Sequence, residues 1–161
     1  MPKNTKFGAL YIVATPIGNL EDISKRGLMI LDKVQLCAAE NTKNSKKLFK
    51  KYNLSTPLVS YHKYSEESKL NFLISTLKSG KDVALISDAG TPLISDPGYL
   101  LVNKALEEGI RTTPIPGPSS LITALSVSGM PLDKFTFYGF PPKKKKALET
   151  FLETWDVSDK T

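Results

Sequence analysis

The chain has 161 residues, 40% hydrophobic and 24% charged, which places it in the ordinary globular range with one main domain as the length expectation. No apolar run approaches the roughly 20 residues that span a bilayer, and the polar start Met1 to Lys6 lacks a secretory apolar region, so a cytoplasmic protein is expected. A single cysteine and a single histidine argue against a disulfide framework and a His/Cys metal site, and the net charge of +6 favours anionic partners, nucleic acid first.

Strand and helix signals alternate along the chain. Gly8 to Ala14 is a short apolar, β-branched run of the kind buried on both faces of a sheet. Ser24 caps a helix with the apolar stripe Ile23, Gly27, Ile30, Leu31 and Val34. Val34 to Ala39 reads as a second strand, with Cys37 as a small buried hydrophobe inside it. Thr42 to Tyr52 reads as a second helix and Pro57 to Tyr61 as a third strand. Leu70, Leu73, Ile74 and Leu77 keep helical spacing after Ser65, and Gly80 supplies the stop. Asp82 to Ser87 is the clearest strand.

Asp96 and Pro97 predict an N-cap and first turn for a helix ending at Gly109. Arg111 to Ile115 is the next strand, and Gly117-Pro118 opens a helix that Gly129 closes. The expected fold class is therefore α/β, with a mostly parallel open sheet and helices on both faces. Beyond Gly129 the rhythm breaks. Phe135 to Phe140 reads as an aromatic strand, and Ala147 to Trp155 as an amphipathic helix in which Trp155 packs. The expected division is a domain over residues 1–129 and, over 130–161, a linker and the start of an incomplete second domain. The chain thus reads as truncated.

Ligands of open α/β sheets bind beyond the carboxyl ends of the strands. Four loops lie there: Thr15 to Leu20, Glu40 to Thr42, Asp88 to Gly98, and Pro116 to Ser120. Glycines 18, 90 and 117 permit close backbone approach, and prolines stiffen the loops. Asp88 and Asp96 can accept from ribose hydroxyls or from an ammonium group, while Asp96 serves equally well as a cap. Helix starts at Pro97 and Pro118 can receive a carboxylate or phosphate. Neither a G-x-G-x-x-G nor a P-loop pattern occurs, which disfavours dinucleotide and nucleoside-triphosphate chemistry.

Five segments, in order, resemble the ribosomal RNA small subunit methyltransferase I family of the tetrapyrrole-methylase superfamily. They are LYIVATPIGNLEDIS (Leu10–Ser24), AENT (Ala39–Thr42), ALISDAGTPLISDPG (Ala84–Gly98), PIPGPSS (Pro114–Ser120) and GFPPKKK (Gly139–Lys145). The resemblance implies S-adenosyl-L-methionine as donor, held between two α/β domains. It implies 2′-O-methylation of a cytidine in the decoding region of 16S ribosomal RNA, by a cytoplasmic homodimer. The donor pocket it implies comprises Pro16, Gly18, Asp88, Ala89, Gly90, Thr91, Ser95, Asp96, Gly117, Pro118, Ser119 and Ser120. Glu40 and Asp96 are the candidate bases for the ribose hydroxyl. The chain departs from the family's AEDTR at Asn41 and Lys43, losing an acid and a bidentate fork. Two alternatives remain: a non-catalytic ligand- or RNA-binding fragment, and a tetrapyrrole or protein methyltransferase of the same superfamily.

Lys43, Lys46, Lys47 and Lys50 recur at helical spacing, and Lys143, Lys144, Lys145 and Lys146 form a second basic run. Both fit phosphate tracking on RNA, and both fit a solvated face. His62 reads as a surface-loop residue.

Overall fold

A computed structural model describes residues 7–153. The elements are β1 (Leu10–Val13), α1 (Lys25–Lys33), β2 (Leu36–Ala39), α2 (Thr42–Lys51), β3 (Leu58–Ser60), α3 (Glu66–Lys78), β4 (Val83–Ile86), α4 (Tyr99–Glu107), β5 (Thr112–Ile115), α5 (Ser120–Ser126) and α6 (Lys145–Glu153). The strands form one five-stranded sheet in the order β3-β2-β4-β1-β5. Every pairing is parallel, with Leu10 beside both Val83 and Thr112, and Cys37 beside both Ala84 and Leu58.

Both sheet faces are covered, which explains why β4 reads as the unbroken apolar run Val-Ala-Leu-Ile and is buried throughout. Side chains alternate between two cores because successive strand residues point to opposite faces. Leu10, Ala38, Val83 and Leu85 pack with Leu73, Ile74 and Leu77 of α3 and with Leu101 and Ala105 of α4. Val13, Cys37, Ala39, Ala84 and Ile86 pack with Leu31 of α1 and with Leu48 and Phe49 of α2. Cys37 is fully buried, and desolvation drives its thiol far above the usual range.

The helix that follows the long loop starts later than the Asp96-Pro97 pair predicts. Its N-cap is Gly98, and the Gly98 N–H donates to Glu66 Oε1 at 2.7 Å, so a carboxylate from α3 serves this helix start. Asp96 does not cap this helix; it is half-buried, hydrogen-bonded with Ser87, and feels the charges of Glu40 and Asp88. A Cβ on Gly98 would lie 2.7 Å from Leu85 Cδ2 at φ +133°, so only glycine lets the chain pass so close to β4. The helix after β5 likewise begins at Ser120 rather than at Gly117-Pro118.

The chain divides into two compact units, Met1–Ser120 and Leu121–Thr161. The first holds the sheet and α1 to α4. Among the described residues of the second no strand occurs, so the expected strand over Phe135 to Phe140 is not formed. A strand must place its N–H and C=O groups on a neighbour, and apolar character alone supplies no ladder. The second unit instead carries α6, whose Phe151 meets Tyr138 edge-on at 6.2 Å. Trp155 lies outside the described residues.

Candidate functional site

The loops at the carboxyl ends of β1, β2, β4 and β5 are bonded to one another. Thr15 and Gly90 exchange backbone hydrogen bonds, N–H to O at 2.9 Å and at 3.0 Å in return, and the Thr15 hydroxyl donates to Ser87 O at 3.1 Å. Gly90 takes φ +82°, a left-handed value natural to glycine, to make this bridge. The Thr91 hydroxyl donates to Pro118 O at 3.3 Å, and a Cβ on Gly117 would stand 3.0 Å from Ala14 Cβ. On the other side, the Asp88 N–H donates to Glu40 Oε2 at 3.1 Å and Asn44 donates to Asp88 Oδ2 at 2.8 Å. The loop after β4 is thus the hub, because β4 lies between β2 and β1 in the sheet.

The residues expected to hold a donor fall on these loops. Pro16 is buried and Gly18 exposed; Asp88 and Ala89 are exposed beside buried Gly90 and half-buried Thr91. Gly117 and Ser120 are exposed, while Pro118 and Ser119 are half-buried. Within the hub loop Leu93 has φ +73° and Ser95 φ +62°. Left-handed backbone at such residues costs on the order of 1–3 kcal/mol each and persists where surrounding structure enforces it. Here the Leu93 side chain packs on the core beneath, which fixes the loop from below.

Three carboxylates gather at the hub. Burial pushes the Asp96 carboxyl up from its ordinary value, the charge of Glu40 pushes it further, a hydrogen bond with Ser87 opposes, and Asp88 adds a smaller upward push. A carboxylate raised in this way binds a proton more tightly than an ordinary one. Glu40 is the half-buried partner whose Oε2 is already engaged by the Asp88 amide.

Beside this cluster opens a cleft of about 430 Å³ lined by Glu40, Asn41, Thr42, Lys43, Ser60, His62 and Asp88. Its far wall comes from the carboxyl end of β3, which the sequence reading did not include in the site. The usable signal was position: Ser60 and His62 lie where a parallel strand delivers its residues to the ligand side. His62 is half-buried rather than a loose surface residue, and its Nδ1 is buried with no partner. Asn41 is the N-cap of α2 and accepts from the Lys43 N–H at 3.0 Å, a duty asparagine performs as well as aspartate.

The lysine stripe of α2 is exposed at Lys43, Lys46, Lys47 and Lys50, while Ser45, Leu48 and Phe49 turn inward. Tyr52 is spent on structure, its hydroxyl donating to Leu20 O at 2.9 Å. In the second unit Lys143, Lys144, Lys145 and Lys146 are exposed, and Lys145 Nζ stands 4.0 Å from Glu149. Among the described residues no His, Cys, Asp and Glu cluster suited to a metal ion occurs, and no helix is long and apolar enough to cross a membrane.

A family described as tetrapyrrole (corrin/porphyrin) methylases matches residues 9–156. The chain is 49% identical over 154 residues to ribosomal RNA small subunit methyltransferase I of Pseudomonas aeruginosa, covering 96% of this chain and 55% of that protein. The proteins of the same name from Xylella fastidiosa and Escherichia coli O157:H7 are 52% and 46% identical, over 87% and 96% of this chain and 51% and 54% of theirs. The chain therefore spans about half the length of the curated relatives it matches. A solved structure, uroporphyrin-III-C-methyltransferase from Thermus thermophilus, shares the fold with a TM-score of 0.59 and 23% identity, over 79% of this chain and 54% of that one.

Proposed function

The chain belongs to the tetrapyrrole (corrin/porphyrin) methylase family, and on that premise we propose that it serves the S-adenosyl-L-methionine-dependent methylation of 16S ribosomal RNA, at the 2′-hydroxyl of a cytidine in the decoding region. The observation that carries this reading is the mutual bonding of the loops after β1, β2, β4 and β5 into one polar rim at the carboxyl edge of the sheet.

The residues present fit the donor. Asp88 and Asp96 supply acceptors suited to ribose hydroxyls or an ammonium group, and Thr91 and Ser95 supply hydroxyls. In this reading Pro16, Gly18, Ala89, Gly90 and Gly117 to Ser120, on the loops after β1, β4 and β5, supply the backbone walls of the donor pocket. The bound donor would supply an electrophilic methyl group on a sulfonium. The protein's part is then positioning, since in-line displacement depends on alignment of the reacting atoms. The mutual hydrogen bonds of the rim hold those walls before any ligand arrives, which lowers the ordering cost of binding.

Asp96 is the better placed of the two candidate bases. Its carboxyl is held upward by burial and by Glu40, which strengthens it as a proton acceptor for a weakly acidic hydroxyl. Glu40 takes a supporting part by holding the hub loop through the Asp88 amide. The lysines of α2 and the run Lys143 to Lys146 are the natural counterparts of RNA phosphates.

Two measurements test the reading. Calorimetry of the chain with S-adenosyl-L-methionine is expected to show binding that Gly90→Val abolishes. Methyl-labelled donor with small ribosomal subunits is expected to label a cytidine ribose. Donor binding without transfer would point to the chain as a binding half that needs further structure. No donor binding by folded protein would reject the reading.

A further inference from the structure

Tyr64 is the most exposed large hydrophobic side chain among the described residues, at 93%. It is not isolated. Its ring stands edge-on to His62, with centroids 6.2 Å apart and planes at 64°. His62 in turn lines the 430 Å³ cleft together with Ser60, Lys43 and Glu40.

The turn that carries the pair is fixed from within. The His62 N–H donates to Ser65 Oγ at 3.0 Å, the Ser65 hydroxyl donates back to His62 O at 3.1 Å, and the Ser65 N–H reaches the same oxygen at 2.7 Å. The imidazole is therefore seated by the turn and by packing, since its buried Nδ1 has no partner. Lys63, between the two in sequence, is exposed, and Lys43 of α2 lines the cleft.

Exposed aromatic rings flanked by cations suit unpaired nucleotides, because every base has a π-face to stack and every linkage carries a negative charge. A polar cleft of this volume admits a small ligand of roughly nucleotide size. We propose that His62 and Tyr64 form a stacking ledge at the cleft mouth that receives an unpaired base of single-stranded RNA, with Lys43 and Lys63 on the flanking phosphates. The inference rests on the RNA reading of the proposed function and adds the element that takes the base. It also assigns β3 and its following turn, absent from the expected donor pocket, to the acceptor side.

The test is fluorescence anisotropy with a labelled single-stranded RNA containing cytidine, at fixed salt. Tyr64→Ala is expected to raise Kd by about five- to a hundredfold, the usual range for losing one base stack, and Tyr64→Phe by no more than about twofold. Because Tyr64 is almost wholly exposed, neither variant disturbs the core. His62 is the single histidine, so its ring-proton resonances are unambiguous in a proton NMR spectrum. They are expected to shift on adding the RNA and to stay in place on adding S-adenosyl-L-methionine alone. Unchanged affinity in Tyr64→Ala, equal losses in Tyr64→Ala and Tyr64→Phe, or histidine resonances unmoved by saturating RNA would each overturn the ledge. Those outcomes leave donor binding intact and so differ from failure of the proposed function. Conversely, a chain that binds RNA through Tyr64 without binding the donor keeps the ledge and loses the methylation reading.

Discussion

The backbone N–H of Asp88 donates to Glu40 Oε2 at 3.1 Å, which ties the loop after β4 to the loop after β2. After burial, the charge of the same carboxylate is the largest influence raising the Asp96 carboxyl. One side chain thereby ties two loops of the rim together and adds to burial in raising the proton affinity of Asp96.

Substitution at Glu40 separates those two duties. Glu40→Gln keeps an acceptor for the Asp88 amide but removes the charge, so the Asp96 carboxyl is expected to titrate lower than in the parent. Carbon-13 NMR of the aspartate carboxyl groups measures this. Glu40→Ala loses the acceptor as well and is expected to cost about 1 kcal/mol more in urea unfolding than Glu40→Gln. An unmoved Asp96 titration in Glu40→Gln would show that burial alone sets its proton affinity.

Asp96 also makes stability depend on pH in a definite direction. The folded chain holds the Asp96 proton to a higher pH than the unfolded chain. Stability is therefore lost as pH rises from the ordinary carboxylate value through the folded one, and the loss is complete above it. Asp96→Asn is expected to gain on the parent at neutral pH and to lose that gain below the carboxylate range. Urea midpoints at the two extremes check this, and a pH-independent difference would refute it.

Gly98 is expected to be the glycine least open to replacement among those at helix starts. At φ +133°, with Leu85 Cδ2 2.7 Å and Leu93 Cγ 3.3 Å from a built Cβ, Gly98→Ala meets both strain and overpacking. About 2–4 kcal/mol of destabilisation is expected. Gly109→Ala, at φ +67° with nothing within 4 Å, bears strain alone and is expected to cost about 1–2 kcal/mol. Equal losses in the two variants would refute the packing account.

The α2 stripe gives a salt-dependence prediction. Lys46→Gln and Lys47→Gln are each expected to lower the slope of log affinity against log salt for single-stranded RNA by about 0.7, if each contacts one phosphate. Lys51 is a built-in control, because its Nζ already pairs with Glu21 at 3.2 Å. A Lys51→Gln change as large as the others would mean a diffuse field rather than a contact stripe.

Most elements were legible because their signals are local. Ser24 predicts its helix and accepts from the Gly27 N–H at 2.9 Å, as a cap should. The apolar run of β4 reports burial on both faces whatever its neighbours are. Asp96 misled because an Asp-Pro pair carries the local signature of a cap, while the group that serves the α4 start, Glu66, lies 32 residues away in sequence. Phe135 to Phe140 misled because aromatic alternation describes a surface that fits a sheet and says nothing of whether a partner strand exists.

The candidate site divides along the same line. The sequence by itself determined which loops follow which strands, and that Gly90, Asp88 and Asp96 belong to one of them. Only the tertiary structure decided the order β3-β2-β4-β1-β5, and with it that the β4 loop meets Thr15 on one side and Glu40 on the other while Ser60 and His62 complete a cleft. Residue patterns record how each strand is buried. Which strand lies beside it depends on how helices pack across both faces at once, and that choice joins residues far apart in the chain.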